Sequence, residues 1–216
     1  MSIEGESLVY KILKRVAFVL AKLLYRIRCS GSDKLPEDGP VIICSNHKSY
    51  WDPIFIAAVF KRPVFFMAKQ ELFKVPLLKQ LVTALHAFPV NRHNPDRTAI
   101  NRSLEILSSG RVLGLFPEGT RCREENGLGR PYNGVALIAF HSKAPVLPVA
   151  IFGSNRIMPK KAIFPQFPSI TIAVGDPLYM SESQFDTERD KLSRATEQIM
   201  NSIKKLYDDL KEKYSK

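Results

Sequence analysis

His47 and Asp52, five residues apart, are the pair in this chain best suited to moving a proton. They lie in Val41-Ile42-Ile43-Cys44-Ser45-Asn46-His47-Lys48-Ser49-Tyr50-Trp51-Asp52-Pro53. The apolar run that opens this stretch reads as a buried strand. Asp52-Pro53 reads as a helix start, with the carboxylate at the N-cap and the ring at N1. His47 is therefore expected in a loop at a strand's end, closed by Asp52. On one helix, five residues would set the two about 140° apart, so a loop is also the geometry in which they can meet. A histidine held by a carboxylate is a candidate general base, because the acid fixes the tautomer and stabilises the imidazolium. Taken alone, such a pair is more often a helix cap beside an ordinary loop histidine, so the assignment depends on what else reaches the same place.

A second strand end carries polar chemistry. Val112-Leu113-Gly114-Leu115-Phe116 runs out into Pro117-Glu118-Gly119-Thr120-Arg121. Gly119 lets the backbone turn tightly or approach a ligand, and Arg121 offers a planar fork suited to phosphate. Arg92 ends the short run Ala87-Phe88-Pro89-Val90-Asn91. If these strands are neighbours, His47, Arg92, Glu118 and Arg121 share one rim. One base beside two phosphate-fit cations suggests a phosphorylated alcohol as substrate.

To hold those residues, strands are expected near 41–46, 63–68, 87–91, 111–116, 145–152 and 169–175. Helices are expected near 53–60, 76–85, 95–109 and 134–142, with Asn94-Pro95 as another cap-plus-proline start. The alternation predicts an α/β domain with a mainly parallel central sheet flanked by helices, whose sites gather at strand C-terminal ends. Residues 8–28 carry a wide apolar helical stripe with lysines and arginines off it. At about 1.5 Å per residue it could span a bilayer, but the embedded cations favour a basic amphipathic helix lying in an anionic interface. Gly31 to Pro40 reads as a linker or turn region. From about Ser181 the chain reads as a long helix packed by one stripe, with Ser181-x-x-Gln184 as a capping box and a lysine-rich end fraying in solvent. The expected organisation is a basic helical segment at 1–30, the α/β domain at 31–180 and a C-terminal helix at 181–216.

The 216 residues have a net charge of +11, which calls for an anionic partner. The cations are spread along the chain and no strand motif with stacking aromatics appears, so a membrane surface is favoured over nucleic acid. Cys29, Cys44 and Cys122 form no paired spacing and are expected as free thiols. No secretory leader fits the first residues, and no metal-ligand cluster is expected, because the sequence around His86, His93 and His141 shows no metal-ligand spacing. Two rivals from other classes are a thiol hydrolase using Cys122 with His47 and a non-enzymatic membrane or nucleic-acid binder.

Asn46-His47-x4-Asp52, Phe88-Pro89-Val90-Asn91-Arg92, Phe116-Pro117-Glu118-Gly119-Thr120-Arg121 and Val146-Leu147-Pro148-Val149 together resemble the four ordered blocks of the glycerolipid acyltransferases. The likeness is closest to bacterial members acting on 1-acylglycerol 3-phosphate, and it covers about residues 36–178. Met67-Ala68-Lys69-x-Glu71-Leu72-Phe73-Lys74-x-Pro76 is a fifth similar stretch. The resemblance implies transfer of a fatty acyl group from acyl-CoA or acyl carrier protein to the sn-2 hydroxyl of lysophosphatidic acid, giving phosphatidic acid without a separate cofactor. It implies His47 as base and Asp52 as its partner. It also implies Asn46, Lys69, Arg92, Glu118, Gly119, Thr120 and Arg121 as the substrate-binding set, with Pro148 shaping the acyl side. Another lysophospholipid or glycerol 3-phosphate remains an alternative acceptor. The N-terminal segment resembles the membrane-laid helix of family members, which implies peripheral or monotopic attachment at the cytoplasmic face of the cell membrane. The chain departs from the family pattern at Cys122, usually serine, at Asn133, often lysine, and at His86, commonly a small residue whose replacement is expected to alter the acyl pocket.

Overall fold

In the computed structural model, residues 15, 19, 22–84, 86–91, 96–122, 127–159, 162–181 and 188–215 are described. Seven strands form one sheet: β1 (Arg28–Ser30), β2 (Val41–Ser45), β3 (Val64–Lys69), β4 (Ala87–Val90), β5 (Val112–Leu115), β6 (Val146–Phe152) and β7 (Thr171–Val174). Their spatial order is β1-β7-β6-β2-β5-β3-β4. The five strands from β6 to β4 are parallel. β7 is antiparallel to β6, and β1 follows β7. The described α-helices are α1 (Asp52–Val59), α2 (Pro76–Ala84), α3 (Arg97–Ser108), α4 (Gly134–Ser142) and α5 (Glu188–Tyr214). The mainly parallel α/β architecture expected from the alternation is the one observed.

Strands β2, β5 and β6 are buried along their whole length, which is why they read as unbroken apolar runs rather than alternating ones. Val41 and Ile43 face one layer, with Tyr25 and with Ile54 and Phe55 of α1. Ile42 and Cys44 face the other, with Ile106 of α3, Ile138 of α4 and Ile199 and Ile203 of α5. From β2 the chain crosses through α1 to β3, beyond β5; from β5 it crosses through α4 to β6, beyond β2. Neighbouring strands whose exits leave in opposite directions open a crevice at their C-terminal ends. His47 and Glu118 both sit at that crevice.

Several expectations need correction. Trp51 occupies the N-cap of α1 without a side-chain cap bond; Asp52 is the first helical residue and its carboxylate turns back into the preceding loop. Helix α3 is capped by Asp96, which accepts from the Ala99 N–H at 3.0 Å; Asn94 and Pro95 lie outside the described residues. The helix expected to reach residue 28 stops earlier. Residues 22–25 are helical, Arg26 takes a left-handed φ of 42°, and Arg28 donates to Ile170 O at 2.9 Å as β1 joins the sheet. All three β1 side chains are exposed, so no buried periodicity announced that strand. Most of the expected interfacial helix lies outside the described residues, as do Gln184 and Phe185 of the expected C-terminal capping box and stripe. Among the described residues, no helix is long and apolar enough to cross a membrane. The end of α5 does not fray: Tyr207 and Leu210 are buried and Tyr214 packs beside them.

Candidate active site

Asp52 is fully buried and its Oδ2 collects three N–H groups. The Lys48 and Ser49 backbone N–H groups donate to it at 2.7 Å each, and His47 Nδ1 lies 2.9 Å away. Two fixed N–H donors make Oδ2 an acceptor, so Nδ1 must carry the proton that completes the third bond. That tautomer leaves the lone pair on Nε2, which has no partner among the described residues. Placing Asp52 in the first turn of α1 also puts negative charge where the helix dipole favours it. Asp52 Oδ1 is buried without a partner among the described residues. The two side chains expected to meet do meet, in the loop rather than on a helix.

The peptide of His47 is gripped by the loop that follows β5. Glu118 Oε1 accepts from His47 N at 2.9 Å, and Cys122 N donates to His47 O at 2.8 Å. The other oxygen of Glu118 accepts from Gly129 N at 2.6 Å. Beneath the imidazole lies a file of rings. His47 stacks on Phe116 with centroids 4.1 Å apart, and Phe116 on Phe66 at 6.1 Å. Gly114 makes room for that file, since a Cβ there would stand 2.4 Å from the Phe66 ring. Gly119, with φ of 63°, turns the loop under Tyr132, whose ring lies 2.8 Å from where a Cβ would be.

Glu118 is 2% exposed, and burial pushes its carboxyl above the ordinary 4.5, against the pull of its two backbone bonds and of Lys48 and His47. A carboxyl that holds its proton more tightly folded than unfolded stabilises the fold most at acid pH and less as pH rises through the raised value. The stability of the wild type relative to Glu118→Gln should therefore fall as pH climbs from 4.5. Paired denaturant titrations across the acid range check this; a difference that is flat or rising would contradict it.

Arg121 reaches the rim. Its guanidinium lies 3.5 Å from the Tyr50 ring centroid and donates to the Tyr50 hydroxyl at 2.8 Å, which holds the fork in one orientation. Thr120 is exposed on the same loop. Lys69 ends β3, the strand beside β5, and pairs with Glu71 at 3.3 Å. Arg92 lies outside the described residues; the strand before it, β4, is the sheet edge, with β3 between it and β5.

Three expected ligand contacts have other work. Both ends of the Asn46 amide are taken by Ile151, donating to its O at 2.9 Å and accepting from its N at 2.8 Å, so Asn46 straps the loop that carries His47 to β6. Both Glu118 oxygens face backbone N–H groups rather than an anion. Pro148 is buried in mid-strand opposite Cys44, toward Gly175 and Leu206, where it shapes the sheet and lines no open surface. Phe116 is the platform of the imidazole, a role that only long-range pairing reveals. The Cys122 thiol points to Gly127 O at 3.6 Å, which weighs against its use as a nucleophile with His47. No group of three or more His, Cys, Asp or Glu side chains suited to a metal ion occurs among the described residues.

The family model described as Acyltransferase matches residues 26–152. The 1-acyl-sn-glycerol-3-phosphate acyltransferase of Bacillus subtilis (strain 168) is 29% identical over 204 residues, covering 93% of this chain and 98% of that protein. The enzyme of the same name from Streptococcus pneumoniae is 27% identical over 217 residues, covering 97% and 80%. Among solved structures, the 1-acyl-sn-glycerophosphate (LPA) acyltransferase PlsC from Thermotoga maritima superposes with a TM-score of 0.70 at 23% identity, covering 94% of this chain and 83% of that one. That likeness is one of fold.

Proposed function

The chain belongs to the acyltransferase family, and from that premise we propose that it moves a fatty acyl group from a thioester to the sn-2 hydroxyl of 1-acylglycerol 3-phosphate, giving phosphatidic acid. The observation that carries this reading is the Asp52–His47 contact at the crevice, made through Nδ1 so that Nε2 is the ring nitrogen turned away from the carboxylate. The two relatives compared over most of this chain carry that activity in their names.

In this mechanism Nε2 takes the proton of the sn-2 hydroxyl as its oxygen attacks the thioester carbonyl. The tetrahedral adduct then expels the thiolate, which leaves with the proton held by the imidazolium. The ester forms, the thioester breaks, and the histidine ends as it began. A thioester is already activated, so no covalent enzyme intermediate is required. Asp52 stabilises the imidazolium during the step, and a positioned base of this kind contributes roughly 10²–10⁴-fold. Arg121, Thr120 and Lys69 supply the rim that holds the phosphate, with Arg92 following β4. The donor is acyl-CoA or acyl carrier protein, used as a substrate, and the enzyme works at the cytoplasmic face of an anionic membrane.

Arg121→Ala should raise KM for the lyso acceptor by about tenfold or more, the loss of a charge-assisted phosphate contact, with KM for the thioester nearly unchanged. Steady-state kinetics in both substrates decide it, and an equal effect on the two would remove Arg121 from the phosphate site. The acceptor itself is tested by offering labelled lysophosphatidic acid, other lysophospholipids and glycerol 3-phosphate in anionic vesicles and weighing the products. Phosphatidic acid as the main product is the expected result; a product built only on another acceptor would overturn the assignment.

A further inference from the structure

We infer that the loop from Ile157 to Phe167 is a second membrane anchor, which dips into an anionic bilayer and leads its surface to the catalytic loop. This deepens the functional reading above, since it rests on a lipid acceptor reaching His47 from a bilayer. The neck of the loop is fixed: Ile157 is buried in the core and its O accepts from Gln166 N at 2.8 Å, closing a compact surface loop. Among its described residues, three large apolar side chains stand open to solvent, Ile163 84%, Phe164 77% and Met158 56% exposed. Side chains of this size standing together in solvent mark an interaction surface.

The patch does not end at the loop. Phe167 packs on Tyr25 at 5.5 Å, and Tyr25 on Trp51 at 5.7 Å, so rings run from the base of the loop to the residue next to Asp52. Leu23 and Leu24, beside Tyr25, are exposed as well. Charge identifies the occupant. Neither residues 15–30 nor residues 153–172 contain an aspartate or glutamate, while Arg15, Lys22, Arg26, Arg28, Arg156, Lys160 and Lys161 all fall within them. Apolar tips flanked by cations with no acid among them match an anionic lipid surface. Pro159 and Pro165 make the loop a poor partner for a protein strand, because a proline cannot donate to a ladder.

The test uses the full chain with Ile163→Ser and Phe164→Ser together, changes at solvent-exposed positions that should leave thermal stability unaltered. Partition onto vesicles of phosphatidylcholine with phosphatidylglycerol should weaken by about tenfold. Turnover of a short-chain acceptor kept below its micelle concentration should be unchanged. A threefold or larger loss of partition supports the anchor; a smaller one overturns it and reassigns the patch to a protein partner. As an independent reading, Trp51→Phe removes the only tryptophan and Phe164→Trp places one at the tip. Brominated lipids should quench that residue, and an unquenched signal from vesicle-bound protein overturns the proposal. Binding is read without turnover, so wild-type protein that docks but acylates nothing would fail the catalytic reading alone.

Discussion

His47→Ala is expected to lower kcat for acyl transfer by about 10³-fold, within the range of a positioned base, while the chain stays folded. The reason lies in how the loop is held. Glu118 and Cys122 bond the backbone of residue 47 rather than its side chain, so the peptide keeps its place when the imidazole goes. What is lost to stability is the stack on Phe116 and one bond to Asp52, together about 1–2 kcal/mol. His47→Gln should be equally inactive, since an amide can still reach Asp52 but cannot take a proton. Kinetics paired with thermal melting check both variants, and either one turning over like the wild type would remove His47 as the base.

Asp52 gives the second large effect, and its geometry separates two contributions. Because Oδ2 alone takes all three N–H groups, the amide oxygen of Asp52→Asn can accept the same bonds and keep the loop and the tautomer. The charge disappears. A carboxylate about 4 Å from the imidazolium at an effective dielectric near 20 is worth about 4 kcal/mol, close to a thousandfold in rate. Asp52→Asn should therefore fold and lose about 10³-fold in kcat. Asp52→Ala strands three N–H groups as well, and should also lower unfolding free energy by about 3 kcal/mol. If Asn and Ala were equally destabilised, the bonds would not be those described; if Asn kept wild-type kcat, the charge would play no part in the step.

How much of this was legible in the sequence follows from the range of each interaction. The strand of residues 41–45, the loop and the helix after it are local, and their apolar run and Asp-Pro signal were readable. So was the encounter of His47 with Asp52, because five loop residues can hardly place the two elsewhere. Which strands lie side by side was not readable: β2 next to β5 comes from pairing across 71 positions, as between His47 and Glu118. For the same reason Glu118 and Asn46 read as ligand contacts, although their partners are backbone groups of Gly129 and Ile151. The cap of α3 was misplaced by two residues because Asn94-Pro95 carries a stronger local signal than Asp96. β1 was missed because its side chains are exposed and it gains its place from the edge of β7.

Acyl transfer by this site requires the nitrogen turned away from Asp52 to be bare and able to take a proton. Nitrogen-15 spectra of histidine-labelled protein in alkaline buffer read this directly, with the resonances missing from His47→Ala identifying the residue. A hydrogen on Nδ1 and none on Nε2 is expected, with the Nε2 signal alone shifting when a lyso acceptor is added. A hydrogen on Nε2, with Nδ1 bare, would contradict it.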